Sequence, residues 1–377
     1  MSEKYKETLK PGWRRVKFGD VVRLSKSRSQ DPLTDGFDRY VGLEHLEPGD
    51  LRIRSWGNVA DGVTFTSVFQ SGQVLFGKRR AYQRKVAVAD FSGVCSGDIY
   101  VLETKDAQIL LPELLPFICQ TDAFFDHAVG TSAGSLSPRT NWTSLADFKF
   151  ALPPIEEQTR TLELLVAGSN TIDELRAAYG LLPTLRRSME KRLLSMGGVP
   201  KRKVGDIAKF TSGKGIRVSD LPKCPSASNP VPVFGGNGIS GYTEAVMDGT
   251  TEPTVVVGRV GQFCGVTSMT GGPCWITDNA LYPSKLSGDV KPAFLAICLR
   301  ASNLNRSKLG EYLPLITQEV VHKIEIPVPS SADQSSAINE FVQIEATEAL
   351  LLSRLSSTKH LMMSVTSQMI TGGANGF

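Results

Sequence analysis

The sequence predicts an α+β protein built from a duplicated module, in which a sheet-rich domain is followed by a long helix and the two helices pair as an antiparallel coiled coil. Three observations lead to this prediction: an internal repeat, two long stretches with helical spacing of apolar residues, and two segments rich in turn residues and short β-prone runs. The predicted boundaries are 1–155 for the first sheet-rich domain, 156–198 for its helix, 199–329 for the second domain, and 330–377 for the second helix and tail.

The internal repeat is clearest around two proline-containing motifs. ALPPIEEQ (151–158) and PVPSSADQ (327–334) align without gaps at an offset of 176 residues. Near the front of each half, VKFGDVV (16–22) is similar to KVGDIAK (203–209). Self-similarity at a fixed spacing indicates repeated structural units.

The segments after these motifs are predicted to be long helices, because their apolar residues recur at spacings of three and four. Both stripes share one heptad register, as in coiled-coil packing, although Arg186 interrupts the first stripe and both Glu348 and Thr358 interrupt the second. Pro183 lies inside the first helix and is expected to kink or split it. The residues predicted to pair the helices are Ile172, Leu175, Tyr179, Leu182, Met189 and Leu193 in the first, and Leu351, Leu355, Met362, Val365 and Met369 in the second.

The segments 13–150 and 203–325 are rich in glycine, proline, serine and asparagine, with short β-prone runs such as VAVADF and TVVVGRV. This composition, with its short β-prone runs, predicts small, irregular sheets. Two short helices are expected at 112–127 and 292–304, because each segment begins with a proline, which suits the first turn of a helix.

Composition excludes several classes of protein. With 41% hydrophobic and 21% charged residues, the chain has enough apolar material for packed cores, yet its apolar runs are too short to span a bilayer. The first ten residues, MSEKYKETLK, lack the apolar region of a secretory signal. The six cysteines include no CxxC pair, which disfavours a zinc site or a disulfide framework. We therefore expect a reduced, cytoplasmic protein that holds no metal.

Several motifs suggest catalysis or cofactor binding, but their sequence context argues against these roles. GNGISG (236–241) matches the dinucleotide fingerprint GxGxxG, but the residues after it lack helical periodicity, so we interpret its glycines as turn residues. Asp98 and Glu103 hint at a nuclease site, but their odd separation on one predicted strand points them to opposite faces. The sequence contains no phosphate-binding GxxxxGK[ST] loop, and its four histidines have no neighbours at metal-ligand spacing. We predict a binding protein without catalytic residues.

The net charge of +4 permits nucleic-acid binding without demanding it. FGKRRAYQRK (76–85) places five cations and a tyrosine between β-prone runs, where guanidinium groups suit guanine edges or phosphates. On a strand or hairpin, Lys78, Arg80, Tyr82 and Arg84 would share one face, with Arg79 and Lys85 on the other. A solvated, charged hairpin is the alternative interpretation. The candidate contacts in the first half are Lys26, Arg28, Lys78, Arg79, Arg80, Tyr82, Arg84 and Arg139, with Arg52 and Arg54 as further cations.

The second half is less cationic. If it reads DNA, it is expected to read a different sequence, because the aligned candidate residues differ. Its candidate contacts are Lys214, Arg217, Asn237, Arg259, Gln262, Lys308 and Gln318.

Taken in order, these motifs give the chain a resemblance to the specificity subunits of type I restriction–modification systems. The motifs that carry the resemblance are YVGLEHLEPGDL (40–51), LFGKRRAYQRKVAVADFSGVCSGDIYVL (75–102), LPPIEEQ (152–158) and VFGGNGISGY (233–242). The chain departs from the pattern in its second proline motif, where Ser330 and Ser331 replace Pro-Ile, and in Pro183.

The resemblance implies that two target recognition domains each read one half of a split double-stranded DNA site. It also implies that the paired helices dock two copies of a methyltransferase subunit, which binds S-adenosylmethionine and methylates adenine at N6. A separate motor-nuclease restriction subunit would cut unmodified DNA. Two alternatives stay open: a specificity chain of another phage-defence methyltransferase assembly, and a coiled-coil adaptor that does not bind DNA.

Overall fold

The computed structural model describes residues 9–307 and 314–372, so the predicted contact Lys308 lies outside the described residues. The described chain divides into two compact units. Unit 1 holds the residues up to 176 together with those from 353 onward, and unit 2 holds residues 177–352. Helix and strand are mixed in both, as the sequence predicted.

Unit 1 contains three small sheets and four short helices. Its strands are β1 (Arg14–Lys17), β2 (Val22–Leu24), β3 (Arg39–Val41), β4 (Gly57–Asn58), β5 (Ser67–Phe69), β6 (Val74–Gly77), β7 (Val86–Val88), β8 (Gly93–Cys95), β9 (Ile99–Thr104) and β10 (Lys149–Leu152). The short helices are α1 (Phe18–Val21), α2 (Leu115–Cys119), α3 (Asp122–Gly130) and α4 (Trp142–Ala146), and the first part of the long helix α5 (Ile155–Leu194) also belongs here.

Unit 2 is built in the same way. Its strands are β11 (Lys201–Lys203), β12 (Ala208–Ser212), β13 (Val231–Gly235), β14 (Gly238–Thr243), β15 (Val255–Gly258), β16 (Thr267–Met269), β17 (Trp275–Ile276), β18 (Ala280–Leu286) and β19 (Glu325–Pro327). Its helices are α6 (Val204–Ile207), α7 (Pro292–Ala301), α8 (Gln318–His322) and the first part of α9 (Ser331–Thr371), with the end of α5.

The strand orders of the two units correspond. The main sheet of unit 1 has the order β2-β9-β6-β7 and that of unit 2 the order β12-β18-β15-β16. A second sheet in each unit contains a parallel pair, β3 with β8 and β13 with β17, flanked by an antiparallel strand. The N-terminal strand pairs with the last strand of its own unit, β1 with β10 and β11 with β19. Similar sequence patterns therefore fold into similar topologies.

The central strands β6 (VLFG) and β15 (VVVG) are buried along their whole length, which explains their unbroken apolar sequence. Around β6, aromatic rings such as Phe18, Phe76 and Phe124 form the main core of unit 1. Leu165 of α5 and Met369 of α9 join that core, whereas Leu193 and Phe341 of the same two helices join the core of unit 2. In each unit the long helices thus cover the apolar side of a sheet-rich domain.

The two proline motifs end in glutamines that fasten a helix to its domain. Gln158 is 1% exposed; its Nε2 donates to Ile109 O and Pro153 O, both at 2.9 Å, and its Oε1 accepts from Leu111 N at 3.0 Å. Gln334 is 0% exposed and repeats the pattern in unit 2, as its equivalent at the offset of 176. Its Nε2 donates to Asp289 O (2.7 Å) and Pro329 O (3.0 Å), and its Oε1 accepts from Lys291 N (2.9 Å). A buried side chain that bonds three backbone groups at once explains why both motifs have this residue type.

Helix α5 runs without interruption from Ile155 to Leu194, so of the predicted kink or split at Pro183 the split is wrong. The reason lies in unit 2, where residues on both sides of Pro183 bond to α9. Tyr179 Oη lies 3.4 Å from Glu348 Oε1, and Arg186 Nη2 lies 3.5 Å from Glu348 Oε2. These contacts hold α5 on both sides of Pro183, whose nitrogen has no N–H to donate to the helical hydrogen bond. Arg186 and Glu348, two of the residues that interrupt the apolar stripes, are thus partners.

All eleven residues predicted to pair the helices are buried or half-buried. Several apolar residues off the predicted stripes, such as Leu164, Leu181 and Leu361, are exposed instead. The heptad register read from the sequence therefore identifies the inward faces of α5 and α9.

Candidate nucleic-acid interface

The cation-rich segment after β6 is a loop that contains a 3-10 turn at Ala81–Gln83. Arg80 and Arg84 have φ angles of 55° and 57°, in the left-handed region. The predicted strand face of Lys78, Arg80, Tyr82 and Arg84 is therefore wrong, because two left-handed residues and a turn destroy the two-residue alternation of a strand. The loop sends its side chains in several directions.

Arg79 of this loop and Arg139 both bind the carboxylate of Asp98. Arg79 Nη1 lies 3.2 Å from Asp98 Oδ2, and Arg139 Nε lies 2.8 Å from Asp98 Oδ1. Asp98 immediately precedes β9 and is mostly covered, with 19% of its side chain exposed. Burial alone would raise the pKa of Asp98, but hydrogen bonds from Arg139 and Arg79 outweigh it and hold the pKa below its usual range. The carboxylate therefore stays ionised and orients two guanidinium groups from different loops.

Lys78 completes this group, which we call the Asp98 cluster (Lys78, Arg79, Asp98 and Arg139). Its Nζ lies 4.7 Å from the centre of the Tyr100 ring, a cation–π contact. Burial lowers the pKa of Lys78; Asp98 opposes this effect, while the charges of Arg139 and Arg28 add to it. Three cations against one carboxylate leave a net positive surface, which is the charge that a DNA backbone attracts.

The remaining candidates of unit 1 lie at or away from the cluster. Arg80 Nη2 donates to Ser137 Oγ at 3.2 Å, beside Arg79, and Tyr82 is exposed. Arg28 donates to Ser67 Oγ, and Lys26 is exposed in the same segment. Arg84 points elsewhere, because it bonds to Asp122 and covers the Phe125 ring at 4.8 Å.

Arg52 and Arg54 are also drawn away, toward helix α5. Both pair with Asp173 at 2.5 Å, and Arg54 Nε bonds to Asp50 at 3.2 Å. These two arginines therefore fasten the helix to the sheet-rich part of unit 1.

The left-handed positions of the loop have equivalents in unit 2. There the loop between β15 and β16 has Gly261 and Gly265, each with a φ of 84°, where unit 1 has Arg80 and Arg84. Glycine adopts this conformation without steric cost, whereas an arginine does so only at a cost in free energy. Unit 1 thus accepts backbone strain in order to place two guanidinium groups.

Replacing Arg80 by glycine is expected to leave unit 1 more stable than replacing it by alanine, because both variants lose the bond to Ser137 but only alanine keeps a Cβ. At a left-handed φ a Cβ costs about 1 kcal/mol, so the free energy of unfolding of Arg80→Gly should exceed that of Arg80→Ala by about this amount. Affinity for duplex DNA should fall at the same time. Urea unfolding of both variants and a DNA-binding titration of Arg80→Gly test the two parts; an Arg80→Ala variant as stable as Arg80→Gly would contradict the strain argument.

Asn237 lies in the two-residue connection of a hairpin in unit 2. Gly235 pairs with Gly238 across the turn between β13 and β14, so GNGISG forms a hairpin and opens no helix. This confirms the interpretation of its glycines as turn residues.

Two cations of unit 2 lie beside one short segment. Arg259 Nη1 donates to Asp278 O at 3.2 Å, and the backbone N of Lys214 donates to Ile276 O at 2.9 Å. The Lys214 Nζ reaches Asp248 at 3.4 Å. Arg217 pairs with Asp220 at 3.6 Å, Gln262 lies in the β15–β16 loop, and Gln318 begins α8 behind its cap Thr317. The candidate cations Lys214, Arg217 and Arg259 therefore have separate partners and share no carboxylate.

Sequence reasoning found the cations of unit 1 but missed Asp98 as their organiser. It considered Asp98 only as half of a nuclease pair with Glu103, whose carboxylate is instead bonded to Arg23 and Gln73, each at 2.7 Å. No local signal singled out Asp98, because Asp90 and Glu103 lie close to it in the sequence. Its contact with Arg139 spans 41 residues and is invisible to local periodicity.

The part of the chain that contains this site is similar to known specificity domains. Residues 12–177, which include the whole Asp98 cluster, match the family model described as the type I restriction modification DNA specificity domain. Two curated relatives from Escherichia coli are the specificity subunits of the type I restriction enzymes EcoDI and EcoprrI. The first is 31% identical over 175 residues, 43% of this chain and 36% of the relative; the second is 32% identical over 133 residues, 34% of this chain and 32% of the relative. The match spans about a third of the length of each.

Solved structures share the fold over almost the whole chain. The HsdS subunit from Thermoanaerobacter tengcongensis is 19% identical and covers 98% of this chain and 100% of its own, with a TM-score of 0.52. The S subunit from M. genitalium is 13% identical and covers 97% of this chain and 98% of its own, with a TM-score of 0.62. At these identities the likeness concerns the fold. Together with the family model and the curated relatives, it confirms the resemblance to type I specificity subunits.

Proposed function

We propose that this chain is the DNA-recognition subunit of a type I restriction–modification complex. Each sheet-rich domain reads one half of a split double-stranded site, and the chain itself carries out no chemistry. The observation that carries the proposal is the Asp98 cluster, a preorganised set of cations inside the part of the chain that matches a DNA specificity domain.

The chemistry of the cluster suits a duplex. Guanidinium groups make forked hydrogen bonds to phosphate oxygens or to the O6 and N7 atoms of guanine. Fixing Arg79 and Arg139 on Asp98 reduces the rotamer freedom that they lose on binding. Contacts to phosphates position the protein, while contacts to base edges select the sequence.

We propose the same role for unit 2, with another half-site. Its candidates Lys214, Asn237 and Arg259 differ in type from the Asp98 cluster, so the base pattern that they recognise differs as well. Two unlike domains in one chain give an asymmetric, bipartite site.

The proposed domain limits follow the sequence: recognition domains at 1–155 and 199–329, and spacer helices at 156–198 and 330–377. We propose that α5 and α9 pair as an antiparallel coiled coil. In unit 1 Met362 packs against Gly168, and in unit 2 Arg192 pairs with Glu340 while Arg186 pairs with Glu348. Later residues of α5 thus meet earlier residues of α9.

The partners that we propose are duplex DNA, two copies of a methyltransferase subunit that binds S-adenosylmethionine, and a motor-nuclease restriction subunit. Adenine must leave the base stack to be methylated, which requires a pocket in the methyltransferase subunit. This chain then needs only to hold the duplex in place. No helix of the described residues is long and apolar enough to cross a membrane.

Salt dependence of DNA binding tests the proposal. For the complex of this chain with its methyltransferase subunit, the logarithm of affinity for duplex DNA should fall linearly with the logarithm of salt concentration. A slope of roughly −3 or steeper corresponds to several neutralised phosphates. A complex that assembles without measurable affinity for DNA at low salt would identify the chain as an adaptor.

A further inference from the structure

A small hairpin loop projects beside the Asp98 cluster. Ala133 and Arg139 exchange backbone hydrogen bonds of 3.0 and 2.9 Å and close the loop, whose tip contains Leu136. The Leu136 side chain is 90% exposed, the highest value among the large apolar side chains of the described residues. Single exposed leucines are ordinary on protein surfaces, so the surroundings decide whether this one has a role.

The surroundings hold the loop firmly. Arg80 N donates to Pro138 O at 2.7 Å, and Thr140 N donates to Lys78 O at 3.0 Å. The Ser137 Oγ accepts from both Arg79 Nη2 and Arg80 Nη2 at 3.2 Å. The residues on either side of Leu136 are thus bonded to the cationic loop, and Leu136 is presented to solvent by a braced support.

We propose that Leu136 inserts between stacked base pairs of the half-site that the Asp98 cluster binds. The inference rests on the proposed function and deepens it, since it names a residue that reads DNA through its shape. A duplex offers both features that the surface matches: phosphates for the cations, and base steps that an apolar side chain can wedge apart. The net positive charge around Leu136 favours DNA as its partner over another protein surface.

A wedge of this kind contributes to specificity without hydrogen bonds. Separating two base pairs costs least at flexible pyrimidine–purine steps, so the half-site of unit 1 should contain such a step opposite Leu136. The ungapped offset of 176 places another large side chain, Tyr312, opposite Leu136 in the second half of the sequence. Tyr312 lies outside the described residues.

The test uses the intact complex with the methyltransferase subunit and a duplex that carries its methylated site. The fluorescent base 2-aminopurine is placed in turn at each position of the half-site read by unit 1, because its emission rises when the base is unstacked. The wild-type complex should show this rise at one step. Leu136→Ala should abolish it and lower affinity about tenfold, with the salt slope unchanged because no phosphate contact is removed.

Two further variants test whether Leu136 acts by inserting between base pairs or only by supporting the loop. Leu136→Phe should retain the fluorescence rise, since it preserves a large apolar side chain. Leu33→Ala, which truncates another exposed leucine of unit 1 in the loop between β2 and β3, should leave the signal at wild-type level.

Several results would overturn the inference. The wild-type complex could bind its site with no fluorescence rise at any position, or Leu136→Ala could keep the rise. Release of the methyltransferase subunit by Leu136→Ala, with no base signal in the wild type, would assign Leu136 to a protein contact. If the wild-type complex fails to bind DNA at all, the proposed function itself is wrong, which is a distinct outcome.

Discussion

Removing the three cations of the Asp98 cluster together is expected to lower the affinity of the complex for its DNA site by roughly 100-fold or more. The variant is Lys78→Gln, Arg79→Gln and Arg139→Gln. Each cation that contacts a phosphate contributes about 0.9 to the salt slope, so the slope should become shallower by up to about 2.7. Asp98 adds to the loss, because without its partners it faces the DNA backbone as an uncompensated negative charge. Affinity measured across a salt series gives both numbers.

A matched control exists in the same unit. The variant Lys17→Gln, Arg23→Gln and Lys105→Gln also removes three positive charges. These cations bond to Asp147 (2.7 Å), Glu103 (2.7 Å) and Gly19 O (2.5 Å). Glu103 and Lys105 lie at or beyond the far end of β9 from Asp98. The control should change affinity by no more than about threefold. Equal losses in both variants would mean that only overall charge matters, and the Asp98 cluster would lose its assigned role.

The second large effect concerns stability. Gln158→Leu removes three hydrogen bonds at once and leaves the buried carbonyl of Pro153, the half-buried carbonyl of Ile109 and the N–H of Leu111 without their partner. Because each unsatisfied buried group costs about 1–3 kcal/mol, the free energy of unfolding should fall by about 3 kcal/mol or more. Urea unfolding followed by circular dichroism measures this change, and a separate early transition would report unit 1 specifically.

Unit 2 supplies the internal comparison for that measurement. Gln334→Leu removes the equivalent three bonds and should destabilise unit 2 by a similar amount. Gln343→Leu, on the exposed surface of α9, makes the same chemical change without a buried bond and should alter stability by less than about 0.5 kcal/mol. If all three variants unfold at the same urea concentration as the wild type, the glutamines do not fasten the helices.

The sequence predicted the larger organisation of the chain because that organisation has local causes. The offset of 176 aligns Gln158 with Gln334, and each satisfies the same three backbone groups in its own unit. Helical periodicity identified the buried stripes of α5 and α9, since a single helix face determines burial along its whole length. The mixed helix and sheet architecture was predicted from the change in composition and apolar spacing at each proline motif.

The site was predicted less well because its geometry depends on distant contacts. The alternation expected of a strand assigned Arg80 and Arg84 to one face. Both residues have left-handed φ values instead, and Arg80 bonds to Ser137 while Arg84 bonds to Asp122. Composition alone does not distinguish an arginine in a left-handed turn from one on a strand. The continuity of α5 at Pro183 likewise depends on Glu348, which is far along the chain.

Methylation mapping tests the central claim most directly. DNA from a host without adenine methylation is sequenced by a long-read method after expression of this chain with its methyltransferase subunit, and again without this chain. We predict a split motif with N6-methyladenine in both halves, lost when this chain is omitted and altered in only one half by the triple variant of the Asp98 cluster. An unsplit motif, or a split motif that persists without this chain, would contradict its role as the subunit that reads DNA.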